Sequence, residues 1–450
     1  MIFLRIRGDR CSESLLRSHP YPHNKLLSDD ERSYSDEGKN NDAAGDGSVG
    51  ENAGMKTISL SEIADLEAGS GFPVNYQGET SGDLAFAKVS DISNVVRSGS
   101  RHIESAKNYI SRQKAKELKA KVFPPGTIVF AKIGESIKGN MRAMTTCEML
   151  FDNNVMGISS TSKEINHIFL FHFLNTLDFY SLANKTSVPA LRKSDLQRIQ
   201  VPFPPIAEQK RIAAILDKAE ELRGLRRKAL GELDAIVQSI FLKMFGNPLT
   251  NPNKFPIQKL GEICSRVMDC PHSTPTYATR NTPYACVRSS DIQNSELVFN
   301  EVKYVELEEY KKRIERGAPQ LGDVIYCREG ARFGNAALVI DNTSLVCLGQ
   351  RMMMFRPESS KANGEFVWGY LSSPIAYHQA LREVGGSASP HINIRDIIAF
   401  QIPVPPLIKQ QEFARRVQAI EQLKTIHRES LAHLDALFAS LQHRAFRGEL

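Results

Sequence analysis

Two stretches of this chain carry an apolar stripe far longer than an ordinary core helix needs. In the first, Ile212, Leu216, Ala219, Leu222, Leu225, Ala229, Leu233, Ile236 and Ile240 recur at spacings of three and four, with Glu220, Glu221, Arg223, Arg226, Arg227 and Lys228 between them. In the second, Phe413, Val417, Ile420, Leu423, Leu431, Leu434, Leu437 and Leu441 do the same. These spacings place the apolar side chains on one face of an α-helix. Each pattern lasts about 35 residues, hence about 50 Å at roughly 1.5 Å per residue. Pro204-Pro205 presets the start of the first helix and Gly246-Asn247-Pro248 ends it. A stripe this long with charged flanks needs a partner helix, as in a coiled coil. The tandem order makes an antiparallel pair the simplest arrangement, with a module at each end of the rod.

The segments ahead of the two helices have a different pattern. Residues 84–89 and 127–131 are mostly apolar, each preceded by a glycine turn, and are predicted as strands. Residues 106–121 are predicted as a polar-faced helix and residues 167–176 as a short apolar one. The same order returns later, with strands predicted at 284–288 and 323–327 and helices at 307–315 and 366–372. The mixture predicts an α+β module, sheet-rich with its helices packed to one side. The two modules are copies. Leu60, Ile63 and Ser90-Asp91-Ile92 return as Leu260, Ile263 and Ser290-Asp291-Ile292 at an offset of 200 residues. With small gaps, Gly126-Thr127-Ile128-Val129-Phe130 answers Gly322-Asp323-Val324-Ile325-Tyr326, and Gly139-Asn140 answers Gly334-Asn335. Such a period exceeds the roughly 20–50 residues of a solenoid repeat. It is a whole domain with its connector, used twice, and it suits a target with two separated, non-identical elements.

The expected boundaries are a first module at 55–205, a central helix at 206–246, a second module at 247–406 and a C-terminal helix at 407–450. Residues 1–54 lie outside the repeat. From Ser28 to Gly54 they are rich in Asp, Glu, Ser, Asn and Gly, too polar to offset the entropy of ordering. They are expected to be a disordered tail, or a leader upstream of a biological start at Met55.

Composition narrows the class. Apolar content of 41% with 24% charged residues is ordinary for a globular protein. No apolar run approaches the roughly 20 residues that span a bilayer, so no membrane partner is expected. Seven cysteines, an odd number without Cys-x-x-Cys, argue against a disulfide framework and a zinc ribbon and point to a reducing cytoplasm. The net charge is +6, but residues 1–54 hold 7 Lys/Arg against 10 Asp/Glu, leaving +9 on residues 55–450. A moderately basic body suits a phosphate-binding surface. Catalytic constellations are missing. Gly134 to Asn140 has P-loop glycine spacing but Asn140 where the lysine should stand. There is no Asn/Asp-Pro-Pro-aromatic tetrad, and no His/Cys pair has metal spacing. Cys270-Pro271-His272 is read as a loop thiol beside an incidental histidine, and His427 and His433 as surface or seam residues.

One further set of residues has a family likeness. Pro202-Phe203-Pro204-Pro205-Ile206 and Pro403-Val404-Pro405-Pro406-Leu407 each close a module, are followed by Gln209 or Gln410, and open a long helix. Together with the terminal Ala445-Phe446-Arg447-Gly448-Glu449-Leu450, this order resembles the specificity subunit of type I restriction–modification enzymes over residues 55–450. The resemblance implies two target-recognition domains, each reading half of a split site on double-stranded DNA. It implies helices that set the gap and dock methyltransferase subunits, two of them, and through these the restriction and motor subunits. It implies a chain with no catalysis of its own, and S-adenosylmethionine, ATP and Mg held by the partner subunits. The copies differ at Glu208-Gln209-Lys210-Arg211 against Lys409-Gln410-Gln411-Glu412, and at Ala190-Leu191-Arg192-Lys193 against Pro390-His391-Ile392-Asn393, both read as near the module–helix seam.

The clearest candidate DNA readers lie in the glycine-led loop after the 127–131 strand and its copy. They are Lys132, Lys138, Asn140 and Arg142 in module one, and Arg328, Arg332 and Asn335 in module two. Glycines let backbone approach a phosphate or groove wall, Arg can grip guanine and Asn adenine. Lys88 and Arg288, beside the repeated Ser-Asp-Ile, are second candidates, while the shared Ser-Asp-Ile itself is expected to shape the fold. The rival reading is a protein-interaction scaffold, two domains on a coiled-coil rod with no DNA role.

Overall fold

The computed structural model describes residues 55–184, 186–340, 345–384 and 390–450. The expectation for residues 1–54 lies outside them.

Each module closes on itself through its first and last strands. Thr57–Ser59 pairs antiparallel with Gln200–Pro202, and Ile257–Lys259 with Gln401–Pro403. Between these ends module one holds a five-stranded sheet ordered Ala64–Ala68, Val155–Ser160, Ile128–Ala131, Arg142–Thr145, His102–Ile103. A three-stranded sheet, Tyr109–Ile110, Leu84–Ala87, Met149–Phe151, stands beside it. Module two repeats the plan with four strands, Cys264–Asp269, Met352–Pro357, Val324–Cys327, Ala336–Leu338, and three, Lys303–Tyr304, Tyr284–Val287, Leu345–Leu348. The strands predicted at 84–89 and 127–131 form as Leu84–Ala87 and Ile128–Ala131, buried throughout as their apolar runs require. The helix predicted at 106–121 is a correction. Only Arg112–Glu117 is helical, because the Ser111 hydroxyl caps it by accepting from the Lys114 N–H, and Tyr109–Ile110 is taken as a strand by Leu84–Ala85.

The Ser-Asp-Ile repeat turns out to be a cap. The Asp91 carboxylate accepts the Lys88 N–H at 2.8 Å, and Asp291 accepts the Arg288 N–H at 2.8 Å. Each starts the helical turn that follows a core strand, which is why the motif is shared.

The long helices run Ile206–Phe245, 40 residues, and Leu407–Ala445, 39 residues, or about 60 Å each. Pro205 and Pro406 stand at their N-caps with φ of −52° and −53°, the value the proline ring enforces. Gly246 ends the first at φ 78°, where a Cβ would strike the Pro252 ring. The helices pack antiparallel. Arg223 bonds Asp435 at 2.6 Å, Arg226 lies 3.0 Å from His427, and Asp234 meets Lys424 at 2.6 Å, so numbers rise on one helix as they fall on the other. Their stripes enter both cores. Ile212, Ala213 and Leu216 complete the core of module one, and Val237, Phe241 and Phe245 that of module two. The C-terminal helix reverses this, giving Phe413, Val417 and Ile420 to module two and Ala445, with Leu441 and Phe446, to module one.

Each module–helix junction is clamped by a glutamine with no exposed surface. Gln209 Nε2 donates to the Glu164 and Pro204 carbonyls at 2.9 and 2.8 Å, and its Oε1 accepts the Asn166 N–H at 2.8 Å. Gln410 does the same with Lys361, Pro405 and Asn363 at 3.0, 2.8 and 3.0 Å. Asn166 and Asn363 in turn cap the helices His167–Leu174 and Gly364–Leu371. A buried amide that satisfies three backbone groups explains why glutamine follows each Pro-Pro step.

Candidate nucleic-acid interface

The glycine-led loops leave equivalent strands and are held by the same backbone bonds. Gly134 and Gly330 have φ of 80° and 84°, a conformation that disfavours other residues. The Gly134 N–H donates to the Pro189 carbonyl at 2.8 Å and the Gly330 N–H to Pro390 at 3.1 Å. Leu191 N–H reaches the Lys132 carbonyl at 2.8 Å, and Ile392 N–H the Arg328 carbonyl at 3.0 Å. The segments around Ala190 and His391, read from sequence as lying near the module–helix seam, are therefore straps across these loops. Ile137 and Phe333 plug the loops into the core. Strand register pairs Phe130 with Arg142 and Tyr326 with Ala336, so the module-one loop is two residues longer. The residue matching Asn140 is thus Gly334, both with positive φ, and not Asn335.

Several candidate readers are occupied. Arg142 is 4% exposed, stacks 3.8 Å over the Phe179 ring, and donates to the Leu177 carbonyl at 2.7 Å and to Asn140 Oδ1 at 3.0 Å. Burial pushes its pKa down to about 10, with Asp178 opposing. Asn140 also donates to the Leu177 carbonyl at 2.9 Å and accepts the Phe179 N–H at 3.0 Å, so both residues fasten the loop to its neighbour. Arg328, also 4% exposed, lies 3.2 Å from His272 Nδ1 and 3.5 Å from Asp269. In this structure Arg142 and Arg328 are buried, with their side chains held by protein groups. Arg288 forks onto Asp291 at 2.8 and 3.0 Å and reaches the Glu301 carbonyl. Half-buried Lys88 donates to Gln77 Oε1 at 2.6 Å. Lys138 is exposed but pairs with Glu135 at 2.6 Å over the Tyr180 ring. Arg332 is exposed, and Lys132 and Asn335 are half-buried. The Cys270-Pro271-His272 trio divides, with Cys270 buried under the Met352 N–H and His272 at the surface.

Two braces, which carry no sequence motif, fix the modules against the helices. In module one Asp217 of the central helix accepts from His172 at 2.6 Å and Arg101 at 3.0 Å. Burial opposes charge on Asp217, but these hydrogen bonds outweigh it and hold the carboxyl well below the usual range. In module two Lys424 of the C-terminal helix is 2% exposed and meets Asp234, Glu296 and Glu421 at 2.6, 2.7 and 2.9 Å. Burial works against its charge, and the three carboxylates overcome this and raise its pKa. Among the described residues no group of three or more His, Cys, Asp or Glu could hold a metal ion. No described helix is long and apolar enough to cross a membrane.

Two modules of one design, joined by an antiparallel helix pair and carrying different polar side chains on one backbone frame, define a two-headed recognition protein. The family described as the type I restriction modification DNA specificity domain matches the chain twice, over residues 52–233 and 253–436, each match taking a module and most of its helix. The chain belongs to this family. It is similar to the type I restriction enzyme MjaVIII specificity subunit of Methanocaldococcus jannaschii, 20% identical over 316 residues covering 67% of this chain and 74% of the relative. It is similar also to the EcoBI specificity subunit of Escherichia coli, 23% identical over 361 residues covering 73% and 74%. A chain solved in work on complex assembly and conformational transition of the type I R-M system shares the fold, with TM-score 0.50 at 20% identity over 88% of this chain and 99% of that one.

Proposed function

We propose that each module reads one half of a bipartite DNA site within a type I restriction–modification complex, and that the helix pair sets the gap between the halves. The carrying observation is the doubled frame. A corresponding sheet, loop and strap occur twice at opposite ends of the helix pair with different exposed side chains. Shared backbone with unlike side chains fits two readers of unlike sequences better than a scaffold for one partner. The net +9 of residues 55–450 supports phosphate contact. Leu222, Leu225 and Ile236 on one helix and Leu423, Ile426 and Leu437 on the other are exposed, an apolar surface suited to two methyltransferase subunits. The restriction subunits join through these. S-adenosylmethionine, ATP and Mg belong to the partners, and this chain alone neither methylates nor cuts.

The test is a change of rod length. Because the helices are paired, both must change together, near Arg226 and His427. About seven residues added to each lengthens the rod by about 10 Å, or about three base pairs. Methylation of a library with variable gaps, by the complex with its methyltransferase subunits, should move the preferred gap outward by about that number. An active variant with the original gap defeats the ruler.

A further inference from the structure

Beside each strapped loop lies a tight turn between two core strands. In module two it is Gly349-Gln350-Arg351, and the Arg328 N–H donates to the Arg351 carbonyl at 3.1 Å. In module one it is Asp152-Asn153-Asn154, and the Lys132 N–H donates to the Asn154 carbonyl at 2.9 Å. The far side of each turn is tied to the other sheet. Gly349 N–H reaches the Val287 carbonyl at 2.7 Å, and Asp152 N–H the Ala87 carbonyl at 3.0 Å. The turns therefore hold matching places in the two modules, flanked by Arg288 and Lys88, the second pair of sequence candidates, though only Arg351 among their residues has a positive φ.

Side chains on this frame fall into two groups. Those facing inward match between the copies: Ile137 with Phe333, Leu191 with Ile392, Asp91 with Asp291. Those facing outward do not. Gln350 and Arg351 stand where module one has Asn153 and Asn154, and His391 stands where it has Ala190. In module two they join one polar patch. Arg351 Nε lies 3.3 Å from Glu329 Oε1, His391 Nδ1 lies 2.7 Å from Glu329 Oε2, and the Thr274 hydroxyl donates to Gln350 Oε1 at 3.1 Å. Arg351 is half exposed along its side chain and has φ 73°, a conformation that costs a non-glycine residue strain of order 1 kcal/mol or more. Glycine would relieve that strain while giving up the contact with Glu329.

We propose that sequence is read chiefly by these turns, by Asn153 and Asn154 in module one and by Gln350 and Arg351, with His391, in module two. The assignment rests on the modules being DNA readers. Its chemistry is direct: Asn and Gln present a donor and an acceptor together, as adenine requires, and Arg presents the fork that guanine accepts. The glycine-led loop supports the turn through its backbone and leaves Arg332 and Lys138 to contact phosphate.

The experiment is methylation of a duplex library randomised in both half-sites, by the complex of this chain with its methyltransferase subunits. Three double variants are compared: Asn153→Ala with Asn154→Ala, Gln350→Ala with Arg351→Gly, and Lys138→Ala with Arg332→Ala. The first two should each lose discrimination by roughly 5- to 150-fold at one or two base pairs, in one half-site and a different one for each. The third should weaken methylation of all sequences alike. Arg351→Gly should not lower the melting temperature, which separates a lost contact from a lost fold. Unchanged selectivity in both turn variants overturns the assignment and leaves the DNA-reading role intact. A wild-type complex that methylates every library member equally overturns that role and the assignment with it.

Discussion

Arg142 and Arg328 are each held by groups from other segments, which gives each a part in stability. Removing the Arg142 side chain takes from the Leu177 carbonyl one of its two donors and from the Phe179 ring the cation stacked on it. Arg142→Ala and Arg328→Ala should each cost about 2–4 kcal/mol, read as an earlier midpoint in urea, while Arg332→Ala should stay within about 0.5 kcal/mol of wild type. Equal stability of all three variants would mean that the buried arginines are dispensable. Asp217 gives a pH signature. Its carboxyl is held below its ordinary pKa in the folded state, so its stabilisation is fully present above the unfolded value of about 3.9 and fades as pH falls below it. Asp217→Asn should therefore melt below wild type near neutral pH, and the gap should hold down to about pH 4 and narrow steadily as the pH falls below that. A gap independent of pH would remove Asp217 from the brace. At this scale the sequence was only partly legible. It marked the loops, because glycine and charge are local signals. It could not show that Arg142 finds Leu177 and Phe179, or that Arg328 finds Asp269 and His272, because burial is decided by partners far away in the chain. The turn at Gln350 and Arg351 has no motif at all and emerges only when the two copies are compared in space.

Among the elements, the helices were the most legible, since a stripe sustained over about ten turns admits no other reading. The helix predicted at 106–121 shrank to Arg112–Glu117 because Tyr109–Ile110 pairs with Leu84–Ala85, a partner about 25 residues away that the local polar pattern does not show. The rod retains room for improvement. Gly224 and Gly231 lie inside the central helix, and a Cβ at either would meet nothing within 4 Å. Gly224→Ala and Gly231→Ala should each stabilise the protein by about 0.5–1 kcal/mol, seen as a higher melting temperature with unchanged half-site selectivity. A loss of stability would mean that the helix needs to bend there. Gly369 is the contrast: its Cβ would fall 2.7 Å from the Phe241 ring, so alanine there should disrupt the contact between the central helix and module two.

In the whole molecule each long helix begins in one module's core and ends in the other's. At the C-terminal end of the second long helix Ala445 and Phe446 pack on module one, with Phe446 against Phe169 and Phe173 at ring distances of 5.4 Å. Removing residues 440–450 should therefore loosen the module farthest away in sequence. In hydrogen exchange, the strand Ile128–Ala131 should lose protection while Val324–Cys327 keeps most of its own. Equal loss in both strands would argue that the modules open only together. The same interlocking governs how the chain is made. Domains usually fold in the order in which they leave the ribosome. Here module one is synthesised first, yet its core takes in Leu441, Ala445 and Phe446 of the C-terminal helix. Until the C-terminal helix is made, Phe169 and Phe173 lack the Phe446 ring that packs on them, so that edge of module one should be completed after module two has left the ribosome.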